Sequence, residues 1–113
     1  MIVMLDKKAT GADIQKAQEE YGDYIKVTID VVRNRVGIGG EYHYDVEQIL
    51  LSEGSVQQDI WGGGLNILTK DIHTNAMVNI RPESNPSPDI LDESIRLKFI
   101  EITKNWLDEY TRK

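Results

Sequence analysis

The sequence predicts an α+β fold: a short N-terminal strand, a helix, a mostly antiparallel sheet meander, and a long C-terminal helix packed on the sheet. Two patterns predict it. Between Tyr24 and Val32 apolar and polar residues alternate, which is the period of a strand with one buried face. Between residues 87 and 110 apolar residues recur every three or four positions, which is the period of an amphipathic helix. Together they indicate a sheet with a helix covering one face.

Length and composition narrow the class of protein. The 113 residues suit one α+β domain spanning 1–113, and 40% apolar with 28% charged residues is typical of a globular chain. The absence of cysteine excludes disulfides, thiolate metal ligands and cysteine nucleophiles. A net charge of -6 repels phosphate backbones, so we expect no nucleic-acid partner.

The N-terminal region predicts a strand followed by a helix. The apolar run Met1–Leu5 is too short for a signal peptide and reads as a short buried strand. No stretch approaches the ~20 apolar residues of a membrane span, so we expect no membrane partner and a cytoplasmic location. Thr10 and Asp13 form the pattern of a capping box at the start of a helix, and Gly22 ends that helix.

The middle of the sequence predicts a β-hairpin with a two-residue turn at Arg33-Asn34. The second strand then runs from Arg35 to His43, and Ile29 faces Ile38 across the pair. The same register places polar partners opposite one another on the other face: Lys26 with Glu41, and Tyr24 with His43.

Residues 45–54 are ambiguous. Asp45 and Gly54 have the positions of a helix cap and a helix end, whereas Ile49–Leu51 before a polar turn is typical of a strand. We favour the strand. Beyond this segment, residues 59–68 predict a strand interrupted by three glycines, and residues 76–81 predict another.

The long C-terminal helix has two candidate starting points. Ser87 is a good cap and Pro88 suits a first helical position, so the helix begins at Ser87 or at Asp89. Acidic residues in its first turn support this start, because negative charge stabilises the positive N-terminal end of the helix dipole. The apolar stripe continues to Tyr110.

Several short motifs occur in a fixed order along the chain: Gly39-Gly40-Glu41-x-His43-x-Asp45, Gln58-Asp59-x-Trp61-Gly62, and Asn79-Ile80-Arg81-Pro82. This series resembles the DUF5674 family of small prokaryotic proteins, a domain of unknown function. The likeness covers most of the chain. It implies a prokaryotic cytoplasmic protein and brings no activity or cofactor with it.

The strongest candidate for chemistry is the alternating trio Glu41, His43 and Asp45. If the strand continues through them, all three side chains project from one face. With His73 they would supply the two histidines and carboxylate of an iron(II) site, or a zinc or manganese site. Without a metal the same residues would serve as general acid and base, with His43 titrating near neutrality.

A structural interpretation of the same trio is favoured. Glu41 would pair with Lys26 across the hairpin, His43 would stack on Tyr24, and Asp45 would cap the next element. His73 lies in a predicted loop and is expected to be solvated.

Three weaker candidates for ligand contacts remain. Trp61 before three glycines has the character of a stacking platform for a sugar or a base, although a core position is commoner. Arg81 and Asn85, near the start of the last helix, could hold a carboxylate or phosphate, but we favour Arg81 binding an acidic residue of that helix. Gly37 and Gly39 leave one face of the hairpin bare, which indicates close approach of a ligand, a partner chain or the C-terminal helix.

Two hypotheses for function follow. The first is a non-enzymatic domain that binds a small molecule or a partner protein, with a homo-oligomer as one form. It needs no cofactor. The alternative is a small metal-dependent enzyme of hydrolase or oxygenase type, which uses Glu41, His43 and Asp45 and requires a divalent metal.

Overall fold

The computed structural model describes residues 1–113 and confirms the α+β class. Five strands form one antiparallel sheet in the order β1-β3-β2-β4-β5. The strands are β1 Val3–Met4, β2 Tyr24–Asp30, β3 Arg35–Ile38, β4 Ile60–Asn66 and β5 Ile72–His73. The helices are α1 Gly11–Ala17, α2 His43–Ser52, α3 Glu93–Trp106 and α4 Asp108–Thr111, and single 3-10 turns lie at Gln57–Asp59 and Met77–Asn79. No helix combines the length and apolarity needed to cross a membrane.

The central strand β2 separates two layers of side chains. Its apolar residues within 25–29 face the main core, which lies between the sheet and helices α1 and α3. Its polar residues within 24–28 face the other side, where α2 packs with a smaller core of Val46, Leu50 and Ile60. The alternation of apolar and polar residues along β2 therefore marks the two faces of the sheet, and helices cover both faces.

The long C-terminal helix packs on the sheet, as predicted, but it begins later than expected. Phe99 of α3 is fully buried, and a Cβ atom on Gly63 would lie 2.9 Å from its ring. The cap is Asp92, which accepts a hydrogen bond from the N–H of Ile95 at 3.1 Å, rather than Ser87 or Asp89. Residues 87–91 instead form a loop tied to the side chain of Asn85.

The predicted hairpin register is wrong by two residues. Ile29 pairs with Val36 rather than with Ile38, so the turn contains residues 31–34 instead of two residues. Because the shift is even, every side chain keeps the face that the sequence assigned to it.

The side chain of Asp30 explains the longer turn. Its Oδ1 accepts hydrogen bonds from the N–H groups of Val32 and Arg33 at 3.0 and 2.9 Å. These bonds satisfy the N–H of Val32, which a two-residue turn would have paired with Arg35, and the N–H of Arg33 within the turn. Asn34 has a φ of 57°, the left-handed conformation that its position in the turn predicted.

Residues 43–52 form a helix, so the preference for a strand in this region is wrong. Strand β3 ends at Ile38 because Gly39 and Gly40 adopt φ values of 80° and 90° and turn the chain away from the sheet. Helix α2 then returns over the sheet. A Cβ atom on Gly37 would lie 2.5 Å from Cγ1 of Val46, so it is α2, not the C-terminal helix, that fills this bare face.

Two other expectations also change. Gly62, Gly63 and Gly64 lie inside β4 and do not interrupt it. Residues 76–81 form a 3-10 turn and a loop rather than a strand. The side-chain amide of Asn79, instead of backbone groups of a strand, makes the hydrogen bonds to Gly62 of β4. The capping box of Thr10 and Asp13 is formed as predicted.

Candidate functional site

A cleft of about 580 Å³ opens on the face of the sheet that α2 covers. Tyr24 and Lys26 of β2 form its floor. The first turns of α2 form one wall, and residues 75–80 form the other. The lining combines aromatic and apolar side chains with five polar or charged ones, from Lys26, His43, Glu47, Gln57 and Asn75. Apolar walls with polar groups that fix orientation are typical of ligand sites.

Two glycines of β4 make room for the rings at the base of this cleft. A Cβ atom on Gly64 would lie 2.1 Å from the hydroxyl oxygen of Tyr24, and one on Gly62 would lie 2.8 Å from Cδ2 of His43. Both contacts are shorter than any side chain tolerates. The glycine run therefore allows Tyr24 and His43 to lie directly on the strand.

His43 begins α2 and is fixed by a hydrogen bond to β4. Its Nε2 lies 2.7 Å from the carbonyl oxygen of Gly63. Because a carbonyl only accepts, Nε2 carries the proton and Nδ1 keeps a lone pair with no protein partner. Burial lowers the pKa of His43, the bond to Gly63 opposes this, and the charge of Lys26 lowers the pKa further. The ring is therefore neutral near pH 7.

Glu47 lies one helical turn after His43 and lines the same cleft. Only 7% of its surface is exposed. Its Oε2 accepts one long hydrogen bond, 3.5 Å from Nε2 of Gln57, and its Oε1 has no partner. Sequence reasoning missed Glu47. The spacing of four residues from His43 would have indicated it only if residues 43–52 had been predicted as a helix.

Lys26 supplies positive charge near the start of α2. Its ammonium lies 4.8 Å from the ring centre of Tyr21 and 5.5 Å from that of Tyr42. It also donates a hydrogen bond to the carbonyl oxygen of Glu41. The Glu41 carboxylate, which was expected to pair with Lys26, makes no such contact.

The second wall is held to the sheet by Asn79, which is fully buried. Its Oδ1 accepts from the N–H of Gly62 at 2.8 Å, and its Nδ2 donates to the carbonyl of Gly62 at 2.9 Å. The same Nδ2 also donates to the carbonyl oxygens of Thr74 and Pro88. The amide thus takes the place of a neighbouring strand beside Gly62 and fixes residues 75–80 against β4.

Of the trio Glu41, His43 and Asp45, only His43 lines the cleft. Glu41 is exposed in the bend before α2. Asp45 follows His43 by two residues, which is about 200° around a helix, so the two side chains diverge. No group of three histidine, cysteine, aspartate or glutamate side chains is placed to hold a metal ion.

His73 is exposed, as expected of a solvated histidine, but it lies in β5 rather than in a loop. Its ring meets that of Tyr24 edge to face, with centroids 5.9 Å apart. It therefore takes the position against Tyr24 that the sequence assigned to His43.

The weaker ligand candidates lie outside the cleft. Trp61 is 5% exposed in the main core, and the guanidinium of Arg81 lies 3.8 Å from the centre of its ring. Arg81 donates to the carbonyl oxygens of Gln57, Gln58 and Ile60, and makes no salt bridge to the acids of the last helix. Burial lowers the pKa of Arg81.

Asn85 has a structural role similar to that of Asn79. Its Nδ2 donates to the carbonyl oxygen of Asn79 at 3.0 Å, and its Oδ1 accepts from the N–H of Leu91 at 3.0 Å. Two further bonds go to the carbonyl oxygens of Ser87 and Asp89. All hydrogen bonds of the Asn85 side chain are therefore made to backbone groups of residues 79–91.

Fold and site together define a small α+β protein with a ligand-sized cleft on one face of an antiparallel sheet. A family model described as a protein of unknown function, DUF5674, matches residues 3–106, so the chain belongs to this family. The resemblance seen in the sequence is thereby confirmed. No curated protein and no solved structure matches the chain.

Proposed function

We propose that the protein binds a small molecule in the cleft between α2 and residues 75–80 and does not act on it chemically. The aromatic and apolar lining of the cleft carries this proposal, together with a volume of about 580 Å³, which lies within the range of about 300–1,000 Å³ usual for ligand sites. Tyr24, Tyr42 and Tyr44 give the lining large apolar rings with polar ends.

The rigidity of the walls supports binding. Asn79 fixes one wall through four hydrogen bonds, and the bond from His43 to Gly63 fixes the start of the other. A site that is already ordered loses little conformational entropy when a ligand enters, which favours affinity.

Fragment screening by NMR tests the proposal. We expect hits to shift the amide resonances of residues 42–47 and 75–80 together. Tyr44 is 60% exposed at the cleft, and Tyr44→Ala should weaken the hits without unfolding the protein. Leu68→Ala is the control, because Leu68 is 73% exposed and does not line the cleft. A library without any hit at these residues would refute the proposal.

Proton-transfer catalysis is a second candidate, and the state of His43 favours it. A neutral imidazole with a fixed tautomer and a free Nδ1 is suited to act as a general base. Each cleft-binding compound would be incubated with the protein and analysed by mass spectrometry. Conversion by the wild type and none by His43→Gln would support catalysis, whereas bound but unchanged compounds support binding alone.

The metal-dependent form of the enzyme has a separate test. The positions of Glu41 and Asp45 outside the cleft give it no support. Elemental analysis of protein purified without a histidine tag, together with melting temperature in the presence of a chelator, measures it directly. A bound transition metal, together with a melting temperature that chelator lowers, would support a metal-dependent enzyme.

A further inference from the structure

The side chain of Glu47 is largely buried, while its Oε1 remains accessible in the cleft and has no protein partner. Glu47 is 7% exposed, and the 3.5 Å contact from Gln57 is its one hydrogen bond. Buried carboxylates are normally paired with a cation or bonded by several donors, because their desolvation is costly. Since Glu47 lines the cleft, the missing donor has a place from which to approach it.

A second acceptor lines the same cleft, one helical turn before Glu47 on α2. Nδ1 of His43 has a lone pair and no protein partner, since Nε2 is the protonated nitrogen. Residues four apart on a helix are neighbours on its surface, so both acceptors belong to one wall of the cleft. Two adjacent acceptors favour a ligand group with more than one N–H donor.

The two nearby cations do not satisfy Glu47. The charges of Arg81 and Glu47 influence one another, but no salt bridge joins them within 4.0 Å. The Nη1 and Nη2 of Arg81 donate to backbone carbonyl oxygens, and its buried Nε has no partner. Lys26 donates to the carbonyl oxygen of Glu41 before the start of α2. A ligand cation is therefore attracted to Glu47, which lines the cleft, and is repelled by both Lys26 and Arg81.

The rest of the lining suits the body of an amine. Tyr24 and Tyr44 offer ring faces, and Val78 and Ile80 of the opposite wall are apolar. Aromatic faces attract cations as well as apolar groups. The stacking of Lys26 over Tyr21 and Tyr42 shows this attraction at the edge of the same cleft.

We propose that the ligand of the cleft is an organic amine, whose protonated nitrogen is bound by Glu47 and His43 and whose apolar body lies against the tyrosines. The inference rests on the proposed function of the cleft and names the class of its ligand.

Four probes with one common body test the inference: phenethylamine, N-acetylphenethylamine, phenethyl alcohol and phenylacetate. Each is titrated into the wild-type protein and followed by NMR. We expect phenethylamine to bind at least tenfold more tightly than each of the others, with the largest shifts at residues 43–47. Equal or tighter binding of phenylacetate, or equal binding of the acetylated amine, would overturn the inference.

Glu47→Gln is the decisive variant. It should lower the affinity for phenethylamine at least tenfold and leave that for phenethyl alcohol unchanged. Asp45→Asn removes the same charge from the same helix outside the cleft, and it should leave both affinities unchanged. Unchanged amine binding by Glu47→Gln would overturn the inference. If Glu47→Gln does not fold, the inference is decided on the wild-type protein, by comparing the affinities for phenethylamine and N-acetylphenethylamine.

The outcomes separate this inference from the proposed function. Binding of the uncharged probes without preference for the amine leaves the cleft a ligand site and removes only the ligand class. No binding of any probe at millimolar concentration overturns the inference, whereas the proposed function is contradicted only if the fragment library also gives no hit in the cleft. A parallel titration with Zn²⁺ tests whether Glu47 binds a metal ion instead of an amine. Zinc binding that Glu47→Gln abolishes, without any binding of the amine, would overturn the inference in favour of a metal.

Discussion

The side-chain amide of Asn79 pairs with both backbone groups of Gly62, accepting from its N–H and donating to its carbonyl oxygen. These bonds replace a neighbouring strand at the part of β4 that β5 does not reach, since β5 pairs only with Gly64 and Leu65. One side chain thus completes the sheet and positions a wall of the cleft.

Replacing Asn79 should therefore be costly. Asn79→Ala leaves the buried N–H and carbonyl groups of Gly62 without these partners, and we expect a loss of roughly 2–4 kcal/mol in the free energy of unfolding. Urea denaturation followed by circular dichroism measures it. Asn75→Ala is the control, because Asn75 is exposed and its side chain makes no hydrogen bond in the protein. A loss below about 0.5 kcal/mol for Asn79→Ala would contradict the role of this residue.

Gly64 and Tyr24 should be energetically coupled. Gly64→Ala places a methyl group 2.1 Å from the hydroxyl oxygen of Tyr24, and such overpacking typically costs about 1–3 kcal/mol. In a Tyr24→Ala background the same substitution should cost clearly less, which a double-mutant cycle measures. Gly11→Ala is the control: its Cβ meets Tyr110 at an ordinary 3.6 Å, so we expect little change. Additive effects of the pair would show that Tyr24 does not lie on Gly64 in solution.

Protonation of His43 should destabilise the fold. Burial lowers its pKa below the ordinary value of 6.5 in the folded state, so the unfolded chain binds the proton more readily. Stability is therefore fully present above pH 6.5 and falls as the pH drops through the lowered pKa of the folded state. The two histidines are His43 and His73, so His73→Gln leaves His43 as the single imidazole.

In this background the free energy of unfolding is measured between pH 7 and pH 5.5, above the range where carboxylates with lowered pKa, such as Glu20 and Asp92, contribute. His43→Gln should flatten the dependence. An NMR titration of the His43 ring with a midpoint above 6.5 would contradict the prediction.

Asp30 should be essential to the four-residue turn. It is fully buried and accepts from two backbone N–H groups and from the hydroxyl of Ser55, the last at 2.6 Å. We expect Asp30→Ala to cost roughly 2–4 kcal/mol, because two partly buried backbone N–H groups and the buried hydroxyl of Ser55 lose their acceptor. Asp30→Asn keeps an acceptor for the two N–H groups and should recover at least half of the loss. Equal losses for the two variants in urea denaturation would mean that the carboxylate charge, not the turn geometry, is what matters.

The elements that could be predicted are those with local signals. The capping box of Thr10 and Asp13, the alternation along β2 and the apolar stripe of α3 each lie within one segment. The face of each β2 residue could be predicted too, because a strand repeats every two residues and an even error in register leaves it unchanged.

The hairpin register and helix α2 could not be predicted, because their causes lie outside their own segments. The register depends on a buried carboxylate that competes with strand pairing, at Asp30. The choice of helix for residues 43–52 depends on the space above Gly37, which Val46 fills. Local patterns alone left strand and helix nearly equal here.

The candidate site shows the same division. The sequence by itself determined the α+β class and the DUF5674 membership, and it named His43 as a candidate site residue. Only the tertiary structure decided that His43 shares a cleft wall with Glu47 instead of with Glu41 and Asp45, and that Asn79 and Asn85 serve the fold. The physical reason is that a polar side chain acquires its role from the partners it meets in space. Those partners lie on elements far apart in the chain, and only the packing of α2 and the 75–80 segment on the sheet brings them together.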